Sequence, residues 1–403
     1  VRIASRSFGA YPARVHPLHV RSDAAFVEIL GRMEGHDEVG LDCEFHTEGR
    51  YYPHLCLVQL SFGEESWAVD PHRVKLAPLA PFLEAASVRK VLHDGRQDLP
   101  ILLRATHASA IRGVFDAQVA AGFLGYGGSV GYGVLVKDIV GVELDKSLQV
   151  SDWTRELSDA QIDYALDDVR HLGKVSSTLR ERLVATDRLG WAEEACGEAA
   201  ARALTRPDPE KLYRRVASAG RLTPEQLGIL REAAAWRDRA ASSLDRPLTT
   251  IASDLALKSV ALQAPLEVRA LESVRGLGAG RNQPWARELI EAVVRGRARP
   301  EPNPKLLLSR EEEARIDGIV AVLGLARRLV AGREGIAAEV LADQAELRSL
   351  TEWHLEGRPE GDTAGVLGGW RRAVLGDLLL GVLSGEVMFR VDATAPAGIA
   401  LHP

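Results

Sequence analysis

Val39-Gly40-Leu41-Asp42-Cys43-Glu44-Phe45 is the stretch on which the fold turns. Its apolar residues alternate with carboxylates, which predicts a half-buried strand. Leu41, Cys43 and Phe45 face one way; Asp42 and Glu44 face the other. Two carboxylates on one strand face repel each other and are costly to bury. A hard cation removes that cost, because such ions prefer carboxylate oxygens. The plainer alternative is a solvated edge-strand face, and a pattern this short does not choose between the two.

Around this strand, residues 20–190 alternate strand-like and helix-like segments, an α/β pattern. Asp23 precedes Phe26, Ile29, Leu30 and Met33, which predicts a helix capped by Asp23. Leu55–Phe62, Ser66–Val69 and Val88–Leu92 read as further strands. From Asp159 to Leu183 the spacing becomes helical, and beyond Gly190 it stays so. Thr223-Pro224 is a helix start, with threonine as cap and proline in the first turn. The run RPEPNPK, Arg299–Lys305, reads as a linker.

These readings divide the chain into an N-terminal extension (1–19), an α/β domain (20–205), a helical domain (206–298), the linker (299–305), a second helical domain (306–391) and a tail (392–403) that is expected to fray.

Composition narrows the class. With 403 residues, two or three domains are expected. Hydrophobic residues make up 46% and charged residues 26%, the balance of a soluble globular protein. No run of about 18 apolar residues predicts a membrane span. Val1–Pro12 shows neither an apolar core nor a cleavage pattern, so no signal peptide is expected. Cys43, Cys56 and Cys196 are too scattered for a disulfide framework or a zinc site, which suits a reducing, cytoplasmic setting. The net charge of −6 does not advertise a nucleic-acid binder. An enzyme whose cations neutralise phosphate can nevertheless be acidic.

Two further segments carry chemistry. His93-Asp94-Gly95-Arg96-Gln97-Asp98-Leu99 follows an apolar strand, so it lies at a strand end, where sites of open sheets gather. Asp94 and Gln97 have capping-box spacing. Asp98 then falls in the first helical turn, pointing back toward the strand ends; pairing with the helix dipole is its plainer use. Tyr164 and Asp168 are four apart on a predicted helix and share a face, while Asp167 points to solvent. Each signal is weak alone. In order, they supply four carboxylates and a tyrosine, a set suited to two metal ions, one activating water and one steadying the leaving oxygen.

The segments LDCEF, LHDGRQDL, FDAQ, LDKS followed by DW, and YALDDVRHL resemble, in order and spacing, the ribonuclease D group of DEDD exonucleases. Tyr164 marks the branch with tyrosine; the other branch has a histidine five residues before the last aspartate, where this chain has Asp163. The resemblance implies an RNase H-like fold over residues 20–190. It implies that Asp42, Glu44, Asp98 and Asp168 bind two divalent ions, Mg²⁺ or Mn²⁺, and that Tyr164 orients the attacking water. Gln59, His93, Lys146 and Trp153 stand in family-like segments and receive no catalytic role. Asp116 is expected to cap the helix after it. Asp94 departs from the family pattern, in which a small residue is expected.

LGILREAAAWRDRAASSLDRPLTTIASDLALKSVALQAP resembles an HRDC domain, and ELRSLTEWHL with GGWRRAVLGDLL resembles a second, more divergent one. The whole resemblance implies a monomeric 3′→5′ exoribonuclease that takes single nucleotides from RNA with a free single-stranded 3′ end, transfer-RNA precursors in particular. The alternatives are an exonuclease acting on DNA and a non-catalytic nucleic-acid binder. Arg281, Arg287, Arg295, Arg297 and Arg299 offer phosphate contacts, or else decorate a solvated helix face.

Overall fold

The stretch around Asp42 forms a strand in the middle of a six-stranded mixed sheet. The computed structural model describes residues 16–145, 148, 151–216, 222–279, 282, 284–302, 309–358, 365–395 and 397–402. The sheet contains β1 (His19–Val20), β2 (Glu38–His46), β3 (His54–Phe62), β4 (Glu65–Val69), β5 (Arg89–Leu92) and β6 (Val114–Asp116), in the spatial order β1-β4-β3-β2-β5-β6. β3 and β4 pair antiparallel, with Gln59 opposite Ala68; β2, β5 and β6 run parallel, with Gly40 beside Val91 and Leu92 beside Asp116.

Between β1 and β2 lies α1 (Asp23–Met33), which buries Phe26, Ile29, Leu30 and Met33. Its cap is Ser22, whose hydroxyl accepts from the Ala25 N–H, and not Asp23. Asp23 occupies the first turn, where its charge suits the helix dipole, and it accepts from the Lys75 N–H. α2 (Ala80–Glu84) leads to β5, and α3 (Asp98–Thr106) follows it. α4 (Ala117–Gly122) and α5 (Tyr132–Ile139) follow β6.

The helix that matters most for the site is α6 (Asp159–Arg170). A reciprocal capping box between Ser158 and Gln161 starts it, and Ile162, Ala165, Leu166 and Val169 are buried. The Ser61 hydroxyl on β3 donates to the Val169 carbonyl at 2.8 Å, tying the end of α6 to the sheet. A Cβ at Gly40 would collide with the Ser61 hydroxyl, so this close approach requires glycine. α7 (Leu172–Ala185) continues the chain.

Apart from α4 beyond Ala117, the first residue of β3 and the end of α7, these elements make one compact unit: the described residues up to His46, Leu55–Ala117 and Gly131–Arg180. The second unit is mainly helical and comprises Thr47–His54, Gln118–Val130 and Glu181–Pro403. Its first long helix is α8 (Leu189–Leu204). α9 (Pro224–Leu244) starts as expected at Thr223, here within a full capping box with Gln226. α10 (Leu248–Ile251), α11 (Asp254–Gln263) and α12 (Trp285–Ala298) pack round its buried Trp236, whose indole donates to the Trp285 carbonyl. A Cβ at Gly296 would strike the backbone of Ile229, so α12 and α9 touch backbone to backbone.

A second group repeats the first. α13 (Arg310–Glu334), α14 (Ala338–Leu341) and α15 (Gln344–Leu355) reproduce the succession of long helix, four-residue helix and medium helix made by α9, α10 and α11. Each long helix ends on a left-handed residue, Asp245 or Gly335. Each medium helix starts at a side-chain cap, Ser253 or Asp343. From Arg237 and Arg327 to the start of each medium helix the bounds and caps match at a constant offset, after which α15 runs two residues longer than α11. α16 (Asp377–Ser384) lies further along the chain. No helix among the described residues is long and apolar enough to cross a membrane.

The expected linker is non-helical from Arg299 to Pro302, where the Glu301 N–H bonds to the Pro224 carbonyl; Asn303–Lys305 lie outside the described residues. The tail differs from expectation. Ile399–His402 forms β8, antiparallel to β7 (Met388–Val391), with Phe389 opposite Leu401 and Val391 opposite Ile399. Asp392 makes the turn by accepting from the Thr394 N–H and hydroxyl. The runs MFRV and IALH lack strict apolar–polar alternation, so periodicity does not mark them as strands.

Candidate active site

β2 presents Asp42 and Glu44 on its helix-facing side, and α6 lays Asp168 over them. Oxygens from these three carboxylates lie within 4.8 Å of one another. Asp98 opens α3 as expected and is only 7% exposed. Its carboxylate lies outside the tight trio, yet its charge is, after burial, the largest influence on Asp42.

Burial and neighbouring carboxylates raise all four acids. Burial, then the charges of Asp98, Asp168 and Glu44, push Asp42 well above the usual carboxylate range. Burial and the charges of Asp168 and Asp98 lift Glu44 to about 8. Burial raises Asp98 to about 7, with Asp94 and Asp116 adding to it, and raises Asp168 to about 6, with Asp167 adding. Among the described residues, no lysine, arginine or histidine forms an ion pair with any of the four. Clustered, repelling, hard oxygen donors without a side-chain cation suit a divalent ion.

Tyr164 stands one turn before Asp168 on α6, and its ring packs against Trp153 at 6.2 Å between centroids. Burial, then the charges of Asp168, Glu44 and Asp42, raise its phenol to about 12, so it is a hydrogen-bond donor at neutral pH. Asp163, at the position of the other branch's histidine, is exposed and paired with Arg170. Asp167 pairs with Arg170 as well, at 2.6 Å, so it is half-exposed and engaged, not simply solvated.

The turn before Asp98 differs from expectation. Asp94 is left-handed, with φ 57°, and does not cap α3; the cap position is Gln97, which makes no side-chain cap bond. The Asp94 carboxylate is taken by Arg96 through two bonds of 2.7 and 3.1 Å. Asp116 reaches back from β6: its two oxygens accept from the N–H groups of Asp94 and Gly95. A tight turn at a strand end exposes its amides together, and the adjacent parallel strand supplies the acceptor. Asp116 therefore shapes the turn that places Asp98.

His93 packs on Tyr132 of α5, with ring centroids 5.5 Å apart. Nothing in the sequence marked Tyr132. Its buried phenol is raised first by burial and then by the charges of Asp168 and Asp42, which puts it at the edge of the acidic cluster. Lys146 and Arg281 lie outside the described residues. The arginine run is largely consumed within its own unit: Arg295 pairs with Glu232, Arg297 with Glu225 and Arg299 with Glu210. Carboxylates of neighbouring helical segments pair with these three guanidinium groups at the surface, so phosphate would have to compete with them there. Arg287 is exposed and has no such partner among the described residues.

Residues 18–184 match the family model described as 3′-5′ exonuclease, and residues 226–293 match the HRDC domain. Ribonuclease D of Gluconacetobacter diazotrophicus is 35% identical over 94% of this chain and 95% of its own length. The chain belongs to the ribonuclease D family. Ribonuclease D of Granulibacter bethesdensis is 34% identical over 88% of this chain and 89% of its own. The crystal structure of Escherichia coli RNase D, described as an exoribonuclease involved in structured RNA processing, superposes with a TM-score of 0.79 at 28% identity, covering 91% of this chain and 98% of that one. This chain is accordingly a 3′→5′ exoribonuclease, with an RNase H-like exonuclease fold followed by an HRDC domain. Its chemistry depends on divalent metal, and its substrate is RNA.

Proposed function

We propose that Asp42, Glu44, Asp98 and Asp168 hold two divalent cations, Mg²⁺ or Mn²⁺, at which single nucleotides are hydrolysed from RNA with a free single-stranded 3′ end, transfer-RNA precursors among its substrates. The observation that supports this most directly is the trio of carboxylates within 4.8 Å, with no side-chain cation paired to it among the described residues. When bound, the cations lower the pKa of a water and take up charge on the departing 3′ oxygen. Asp42 and Glu44 present oxygens from a rigid strand, and Asp168 closes the set from α6. Asp98 contributes from the side, held there by the Asp116-supported turn. Tyr164 donates its protonated hydroxyl to the attacking water and aligns it on the last phosphodiester.

The proposed domain division is exonuclease 20–205, HRDC 206–298, linker 299–305 and a second HRDC-like unit 306–391. The repeated helix order and caps support the last assignment. The helical region adds affinity for RNA, and the chain acts as a cytoplasmic monomer.

The test uses 5′-labelled RNA and matched DNA, each with a single-stranded 3′ tail, in Mg²⁺, Mn²⁺ or EDTA. A one-nucleotide ladder on RNA, lost in EDTA and in Asp42→Asn, is expected. Equal or faster shortening of DNA would reassign the substrate. Tight binding without any shortening would make the protein a binder.

A further inference from the structure

Gln59, in the middle of β3, is fully buried, yet neither its Nε2 nor its Oε1 has a hydrogen-bond partner among the described residues. Buried amides are nearly always satisfied, so this one calls for a reason. Its position supplies one. Ser61, two residues on, shares its face and bonds to the end of α6. Gly40 of β2 lies against that same Ser61 hydroxyl. β2 and β3 are sheet neighbours joined by a short connection, which makes them antiparallel. Two steps forward from Gly40 and two back from Ser61 bring Asp42 and Gln59 together on the helix-facing side. Opposite Gln59 on β4 is Ala68, which packs with Ile162, Ala165 and Leu166 of α6. The unpaired amide therefore lies beside Asp42 and beneath the helix that carries Asp168.

We propose that Gln59 is a positioning residue for the cation site: its amide N–H donates to the inner oxygen of Asp42 when that carboxylate turns to hold a cation, and so fixes which oxygen faces the ion. Ligating carboxylates are themselves oriented by hydrogen bonds behind them. An apolar residue would pack in this place without an orphaned amide. Glutamine there costs stability in the cation-free chain and returns it on loading. The inference rests on the reading of Asp42 as a cation ligand.

The experiment compares full-length wild type, Gln59→Leu, Gln59→Met and Asp42→Asn by thermal unfolding in EDTA and by Mn²⁺ titration with EPR detection of free ion. The two Gln59 variants should unfold about 2–4 °C higher in EDTA. They should also bind Mn²⁺ about tenfold more weakly or worse. A purely structural glutamine would move the first quantity and not the second. Unchanged Mn²⁺ affinity in both Gln59 variants, with binding impaired in Asp42→Asn, would overturn the role of Gln59 alone. Unchanged affinity in Asp42→Asn as well would overturn the cation site itself. Lower unfolding temperatures in EDTA for both Gln59 variants would mean that the amide is already satisfied, and would overturn the inference too.

Discussion

Arg237 and Arg327 make the same bond ninety positions apart: each reaches from a long helix to the carbonyl that ends the following four-residue helix, Ala252 at 3.0 Å and Ala342 at 2.6 Å. That carbonyl closes a turn where the chain reverses, and it needs a donor that the backbone does not provide. The guanidinium supplies it while its stem packs along the helix. The two helical groups thus share one closing device despite little likeness in their sequences.

Replacing either arginine with methionine removes the donor and leaves a carbonyl unsatisfied. Arg237→Met should cost about 1–3 kcal/mol of stability. Arg327→Met should cost less, because Arg237 is more deeply buried and also pairs with Asp254 at 2.7 Å. Urea denaturation monitored by tryptophan fluorescence measures both. Equal stability of Arg237→Met and wild type would remove the device from the account of the fold.

Asp42→Asn and Asp168→Asn should each lower exonuclease activity by at least about 100-fold, because each takes a carboxylate from the proposed cation site. The same changes should raise the unfolding temperature in EDTA, since they relieve repulsion among buried carboxylates. Circular dichroism melts beside single-turnover assays separate the two effects. A variant that loses activity and stability together would show damage to the fold instead.

The raised acids make cation-free stability depend on pH. Glu44, Asp98 and Asp168 stand at about 8, 7 and 6 in the folded chain, against ordinary values of 4.5, 3.8 and 3.8. Folded protein therefore holds these protons more tightly than unfolded chain does. The stabilisation is complete below about pH 4 and is lost as pH rises through 6 to 8. The unfolding temperature in EDTA should fall over that window relative to Asp168→Asn, and the gain from added Mn²⁺ should widen. Cation binding at pH 7 should also release protons, seen calorimetrically as a dependence on buffer ionisation enthalpy. A Mn²⁺ gain that stays constant from pH 5 to 9 would contradict the coupling.

Among the arginines of the HRDC region, Arg287 is the one to test for RNA contact. Arg287→Glu should weaken binding and reduce the slope of log affinity against log salt by about 1. Arg297→Gln, whose parent side chain is already held by Glu225, should change neither appreciably. Filter binding of a single-stranded RNA at several salt concentrations distinguishes them. Equal effects of the two would make the ion pairs irrelevant to which arginines meet phosphate.

The alternation of Leu41–Phe45 was enough to put Asp42 and Glu44 on one face of a strand, and the four-residue step from Tyr164 to Asp168 was enough to put them on one side of a helix. Such periodicities are local, set by backbone geometry, and are written in the chain itself. The start of α9 at Thr223 is legible for the same reason. What the sequence could not decide was which atoms meet once distant segments pack. That Asp116 serves the turn at Asp94 depends on β6 lying beside β5. The pairing of Arg295, Arg297 and Arg299 with glutamates depends on neighbouring helical segments, and Tyr132 reaches the acids only through the placement of α5. These contacts join residues far apart in the chain, and their energies depend on burial, a property that no single segment possesses.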